Sequence, residues 1–167
     1  MIIVPKAAFG YVFFVVDVPA GKNKDAIVNQ HGLAAWGNYF FTKGEVELIV
    51  RDTGEVLENR RPGWLNIEHP DAHASTAGAV ITNYIEDSQW LCMPMKQNND
   101  RLPNLASLVL APGETTTLSA GTNLYLVRGN LEIHGKTFTG PTQIRIRSEN
   151  ATITSIGDTS YSLKFIV

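Results

Sequence analysis

The chain of 167 residues holds one cysteine, Cys92, and only four histidines, and charged residues make up just 18% of it. A lone cysteine excludes an internal disulfide and any paired-cysteine metal motif. Within its apolar stretch Cys92 reads as a small buried side chain, which suits a reducing compartment. A net charge of −2 excludes the broad positive field that nucleic acid or an anionic membrane surface would require. Long apolar runs are missing as well. Phe9 to Val16 comes nearest, but Pro5, Asp17 and Pro19 bound it and it is far too short to span a bilayer, so a soluble protein is expected. There is no amphipathic stretch at helical spacing beyond about two turns. A nucleophile elbow and a phosphate-cradling glycine loop are also absent.

What the chain does contain is a succession of short alternating segments punctuated by glycine and proline. Tyr39 to Ile67 reads as strand, turn, strand, turn, strand, with Asp52-Thr53-Gly54 as the first turn and Pro62-Gly63 as a corner. Tyr125 to Ile146 repeats the pattern. Both stretches reach a basic residue and a glycine, Lys43-Gly44 and Arg128-Gly129, and then a strand carrying glutamate. Each is followed by an acidic quartet leading into a strand, Asp87-Ser88-Gln89-Trp90 and Asp158-Thr159-Ser160-Tyr161. In Gln143-Ile144-Arg145-Ile146-Arg147 the alternation puts both isoleucines on one face and the polar side chains on the other. Strands at spacings of about ten residues with turns between them predict an all-β sandwich or barrel.

The most polar stretch, Pro94 to Pro103, marks a join. The expected organisation is a first β-barrel over residues 1–95, a linker over 96–104 and a second β-rich half over 105–167. That second half is short for a complete barrel, which leaves two barrels or one extended sandwich open.

The strand ending in Lys43-Gly44, the following Glu45-Val46-Glu47-Leu48, the Pro62-Gly63 corner, the loop Pro70-Asp71-Ala72-His73 and the closing Trp90-Leu91-Cys92-Met93-Pro94 together resemble a cupin, the small β-barrel of jelly-roll type. The resemblance covers Phe13 to Pro94 and continues into Leu105 to Val167 as a weaker second copy, as in two-lobed cupins. It implies a barrel that, in the family's enzymes, holds a divalent metal on histidines and a glutamate converging inside it. Carried onto this chain, the glutamate position falls on Gly37, the nearer histidine on Leu33 and the farther one on His31. The later histidine position falls on Ser75, two residues beyond His73. The positions before Gly129 hold no histidine, and His134 follows that glycine on what reads as a strand.

With only His31 in register, His73 displaced and the other two positions replaced, no catalytic residue and no cofactor are assigned. The leading expectation is a non-enzymatic structural protein that uses a metal-free cupin-like scaffold to bind other protein subunits, as a homo-oligomer or within a larger particle. Virion accessory proteins of bacterial viruses, such as head-decoration proteins or tail-fibre adaptors, carry comparable traits. Its apolar contact patch is sought among Met93, Met95, Leu102 and Leu105, and its docking edge at Met1 to Pro5 or Tyr161 to Val167. Two other expectations stand beside it: a metal-dependent cupin enzyme, a dioxygenase or sugar isomerase, with its site at His31 and His73; and a small-molecule or sugar-binding module whose pocket uses Trp36, Trp64 and His73.

Overall fold

The structure, a computed structural model, describes residues 2–9, 11–21, 23–24, 37–50, 52–66, 80–94 and 104–166. Among the described residues there are strands and turns and no helix, and the chain divides into two units, Met1–Arg101 and Leu102–Val167.

The first unit contains β1 (Ile2–Ala8), β2 (Tyr11–Val18), β3 (Asn23–Lys24), β4 (Gly37–Lys43), β5 (Val46–Val50), β6 (Val56–Arg60), β7 (Leu65–Asn66), β8 (Val80–Tyr84) and β9 (Ser88–Pro94). Its two sheets run β1-β2-β9-β4-β7 and β3-β8-β5-β6. The second unit contains β10 (Asn104–Leu110), β11 (Thr115–Leu118), β12 (Asn123–Arg128), β13 (Asn130–Ile133), β14 (Lys136–Thr139), β15 (Thr142–Arg145), β16 (Ala151–Ser155) and β17 (Ser160–Ile166). Its sheets run β10-β17-β12-β15 and β11-β16-β13-β14.

Set β1 aside and the two orders are the same. In each unit the first strand pairs with the eighth, the eighth with the third and the third with the sixth, while the second, seventh, fourth and fifth make the other sheet. This is a jelly roll, built twice, and the all-β cupin-like architecture holds. The second unit fits eight strands into a short segment because its connections are brief. Residues 119–122 and 146–150 are two of them.

The repeat is matched residue by residue. Val18 faces Ser88 as Leu110 faces Ser160. Val46 lies between Arg60 and Tyr84 as Leu131 lies between Phe138 and Ser155. Both third strands carry a register shift, between Phe41 and Lys43 and between Leu126 and Arg128. The amides of Gly21 and Gly113 donate to the carbonyls of Tyr84 and Ser155 at 2.9 and 2.8 Å. Ser88 therefore matches Ser160, so the two acidic quartets of the sequence align one residue away from their apparent register.

Two local expectations change. Of the expected edge from Tyr161 to Val167, the part that lies in β17 is not free, because β17 is paired with β10 on one side and β12 on the other, while Val167 lies outside the described residues. His134 is not on a strand. It forms the two-residue turn between β13 and β14 with Gly135, both at positive φ (50° and 72°), the arrangement a tight hairpin needs to match strand twist.

The cores follow from alternation. Ile144 and Ile146 are buried while Arg145 and Arg147 are exposed. The first unit's core is aromatic and β-branched: Val16, Val18, Phe41, Val46, Tyr84 and Trp90. The second unit's is aliphatic, built on Leu118, Leu124, Leu126, Leu131, Ile144 and Ile153 among others.

Candidate functional site

Among the described residues, Arg60 is the buried side chain that carries a charge. It ends β6 only 5% exposed, while its neighbour Asn59 is exposed. Its pairing with Val46, a fully buried residue, turns it inward. There the guanidinium carbon sits 4.1 Å from the centroid of the Trp64 ring. A desolvated guanidinium over an indole face gains about 2 kcal/mol from the ring quadrupole, which offsets part of the cost of burying the charge. Trp64 in turn meets Trp90 edge to face, centroids 5.9 Å apart, and Trp90 lies against Phe41 at 4.5 Å. The Trp90 indole N–H is buried and has no hydrogen-bond acceptor among the described residues.

Of the residues expected to form a pocket or a metal site, Trp64 belongs to this cluster, half-buried against the core. Trp36, His31 and His73 lie outside the described residues, as do Met95 and Leu102 of the expected contact patch and most of the linker. Met93 is in β9, opposite Asn38 of β4. Leu105 is in β10 opposite Phe165 and is buried, 6% exposed. Arg60 is the residue that sequence reading missed. Its signal is the alternation of Val56-Leu57-Glu58-Asn59-Arg60, which has meaning only once the register with β5 is known.

The second unit permits a direct test of a cupin metal. Counted back from Gly129, the glutamate and histidine positions are Thr122, Leu118 and Thr116. Leu118 is buried in the aliphatic core and offers no lone pair, and the neutral threonine hydroxyls are not the imidazole or carboxylate ligands that such a divalent metal takes. These residues do not fit a metal. In the first unit the glutamate position, Gly37 of β4, likewise brings no ligand. Among the described residues no three His, Cys, Asp or Glu side chains are grouped so as to hold a metal ion. Nor is any helix among them long and apolar enough to cross a membrane.

Two of the surface clefts among the described residues lie on the second unit. One, about 470 Å³, is polar and lies around Gly129 and Gly140, with Arg128 stacked over Tyr161 at 4.6 Å and Asp158 at its edge. The other, about 430 Å³, is lined from both sheets, with Phe138 from β14 and Ile144 from β15.

No family model matches the chain, and no curated protein matches it. Solved structures do resemble it. HutD from Pseudomonas fluorescens SBW25 is 13% identical, with 95% of this chain and 80% of that one covered and a TM-score of 0.52. YhaK from Escherichia coli is 15% identical over 95% and 87% of the two chains, at a TM-score of 0.48. The nickel(II)-bound pirin YhhW from the same organism is 14% identical over 93% and 81%, at 0.47. At such identities the HutD likeness shows the fold, which is a cupin fold, and nothing about chemistry.

Proposed function

We propose that this chain is a non-enzymatic assembly protein, in which two cupin-like barrels serve as a packed scaffold for contacts with other protein subunits. The observation that carries this reading is the interior of the second barrel. Where a cupin enzyme gathers ligands around an open position, this one packs Leu118, Leu124, Leu126, Leu131 and Ile153 together. Such an interior gives rigidity and leaves function to the surface.

The duplication supplies a docking route. β1 covers the outer edge of β2, whereas β10, the counterpart of β2, has no such neighbour among the described residues. An uncovered strand edge is a template for an added strand. Val109 on β10 is among the exposed large hydrophobic residues, which suits a contact there. The outer edge of β1 is a poorer template because Pro5 interrupts its hydrogen-bonding row. A place in a larger particle, such as a bacteriophage head-decoration or tail-fibre adaptor role, is the specific form of assembly this reading favours. It is supported by a chain rich in Asn, Thr and Gly.

Sedimentation of the full chain over a range of concentrations tests the proposal. Self-association that Val109→Lys abolishes is the expected result. A chain that stays monomeric at every concentration, and binds no purified subunit of its native particle, refutes it.

A second reading, a small-molecule-binding module, is favoured by one observation: the buried Arg60 beside Trp64, with the unsatisfied Trp90 N–H in the same cluster. It requires a ligand that carries a hydrogen-bond acceptor, and loss of binding in Arg60→Met.

A further inference from the structure

The internal repeat sets one corner of the fold beside its own counterpart. In each unit the third strand passes through a glycine into the fourth, against the turn that enters the eighth. Lys43, Glu45, Glu86, Asp87 and Gln89 stand there in the first unit, and Arg128, Asn130, Asp158, Thr159 and Tyr161 in the second. The first corner is closed by its own side chains. The Gln89 amide donates to Asp17 Oδ1 at 3.0 Å and accepts from Thr42 Oγ1 at 2.9 Å. Asp87 Oδ1 accepts from the Ala20 amide at 2.9 Å, and Glu45 lies 3.7 Å from Arg61.

The second corner is open. Val109 and Val127 take the places of Asp17 and Thr42, so those polar partners are gone. The cleft of about 470 Å³ lies here, lined by Arg128, Asn130, Thr139, Asp158, Thr159 and Tyr161 together with two glycines. Its backbone is fixed. The Gly140 amide donates to the Gly129 carbonyl at 3.0 Å, and the Asn130 carbonyl accepts from the Ile156 amide at 3.0 Å and from Ser160 Oγ at 2.8 Å. Its side chains keep free hydrogen-bonding positions. The Arg128 guanidinium lies over Tyr161 at 4.6 Å, and a guanidinium stacked by its face retains its in-plane donors. Thr139 Oγ1 donates to Asn130 Oδ1 at 2.7 Å, which holds the carboxamide and leaves both of its N–H donors. The Asp158 carboxylate is exposed and has no hydrogen bond or ion pair to a described residue.

We infer that this cleft binds a neutral mono- or disaccharide, gripped through adjacent ring hydroxyls. The lining carries one cation and one carboxylate, so it favours neither an anion nor a cation. It offers donors at Arg128 and Asn130 and acceptors at Asp158, and a hydroxyl is the group that donates and accepts at one atom. All three side chains end in planar groups with two binding positions side by side, which suits neighbouring hydroxyls. No aliphatic side chain lines the cleft, which leaves an apolar ligand without a surface. The volume is within the usual range for small-molecule sites, about 300–1,000 Å³. Such a site is independent of self-association through β10.

The test is an amide NMR titration of the full chain with glucose, galactose, mannose, N-acetylglucosamine, maltose and lactose, and with glycerol, glycine and sodium citrate as controls. At least one saccharide is expected to give saturable shifts at millimolar concentration, confined to residues 128–130, 139–140 and 158–161. Asp158→Ala and Arg128→Met should each weaken its binding by about tenfold or more, the loss expected for a hydrogen bond to a charged group. Asp158 is exposed, so its variant folds, and an unchanged spectrum away from the cleft verifies both variants. Any of four results overturns the inference: none of the saccharides shifts these residues, glycine or citrate binds there more tightly than every saccharide, glycerol matches the best saccharide, or either variant binds that saccharide like the parent chain.

Discussion

Gly44 and Gly129 occupy the same place in the two units, and Gly129→Ala is the sharpest test of that equivalence. Gly129 has φ +96°, on the side of the backbone map that residues with a Cβ avoid at a cost of about 1–2 kcal/mol. A Cβ there would lie 2.8 Å from Ser160 Cα and 2.9 Å from the carbonyl oxygen of Thr159. Both are main-chain atoms of a corner leading into β17, an inner strand, so they cannot swing aside like the end of a long side chain. Overpacking of this kind adds about 1–3 kcal/mol, and the two terms together come to about 2–5 kcal/mol. Gly44→Ala meets the same geometry in the first unit, with φ +88° and the Asp87 carbonyl oxygen at 2.8 Å, so its cost should be similar. Gly157→Ala is the internal control. Its φ is +75° but nothing lies within 4 Å of the added carbon, so only the dihedral cost of about 1–2 kcal/mol applies. Urea unfolding followed by fluorescence and circular dichroism gives all three values. If Gly129→Ala costs no more than Gly157→Ala, the close approach to Ser160 is not a constraint and the argument fails.

His134→Asn should raise the unfolding midpoint, by about 0.5–1 kcal/mol in stability, because asparagine tolerates the positive φ of the turn better than histidine; a thermal melt checks it, and a lower midpoint would refute the strain. Arg60→Ala should cost about 2 kcal/mol through loss of the stacked guanidinium and its packed stem, whereas Arg60→Met keeps the stem and should cost less; guanidinium chloride unfolding separates the two. Burial pushes the Tyr125 hydroxyl above its ordinary value of 10.0. The unfolded chain therefore loses that proton at lower pH than the folded one, so the contribution is fully present below about pH 10 and is lost as pH rises through the folded value. Tyr125→Phe should flatten this part of the alkaline fall in the urea midpoint, and an unchanged slope would count against it.

Much of the fold was legible because strand alternation and turn chemistry are local properties. Ile144 and Ile146 announce a buried face by spacing alone, and the Asp52-Thr53-Gly54 turn follows from residue types. The weak internal repeat was legible too, through Lys43-Gly44 and Arg128-Gly129. Its exact register was not, since the acidic quartets suggest an alignment that the pairing of Ser88 with Val18 and Ser160 with Leu110 replaces by one residue. His134 was misplaced because a two-residue turn looks, in sequence, like a continuing strand until Ile133 is seen opposite Lys136.

The candidate sites were less legible, for a related reason. A polar residue in an alternating strand is read as facing water, and only the pairing of Arg60 with buried Val46 turns it toward Trp64. The second cleft needs Phe138 and Ile144, which belong to different sheets and meet only in the folded unit.

By itself the sequence determined the strand-rich class, the turns, the vacancy of the metal-ligand positions in the second half and the fact of a repeat, because each depends on residue type at short range. The tertiary structure decided that the second half is a complete eight-stranded jelly roll of two sheets, that β17 is an inner strand and that β10 is an edge among the described residues. Those properties depend on hydrogen bonds between residues as far apart as Leu105 and Phe165, and a strand's own residues carry no record of which neighbours it will find.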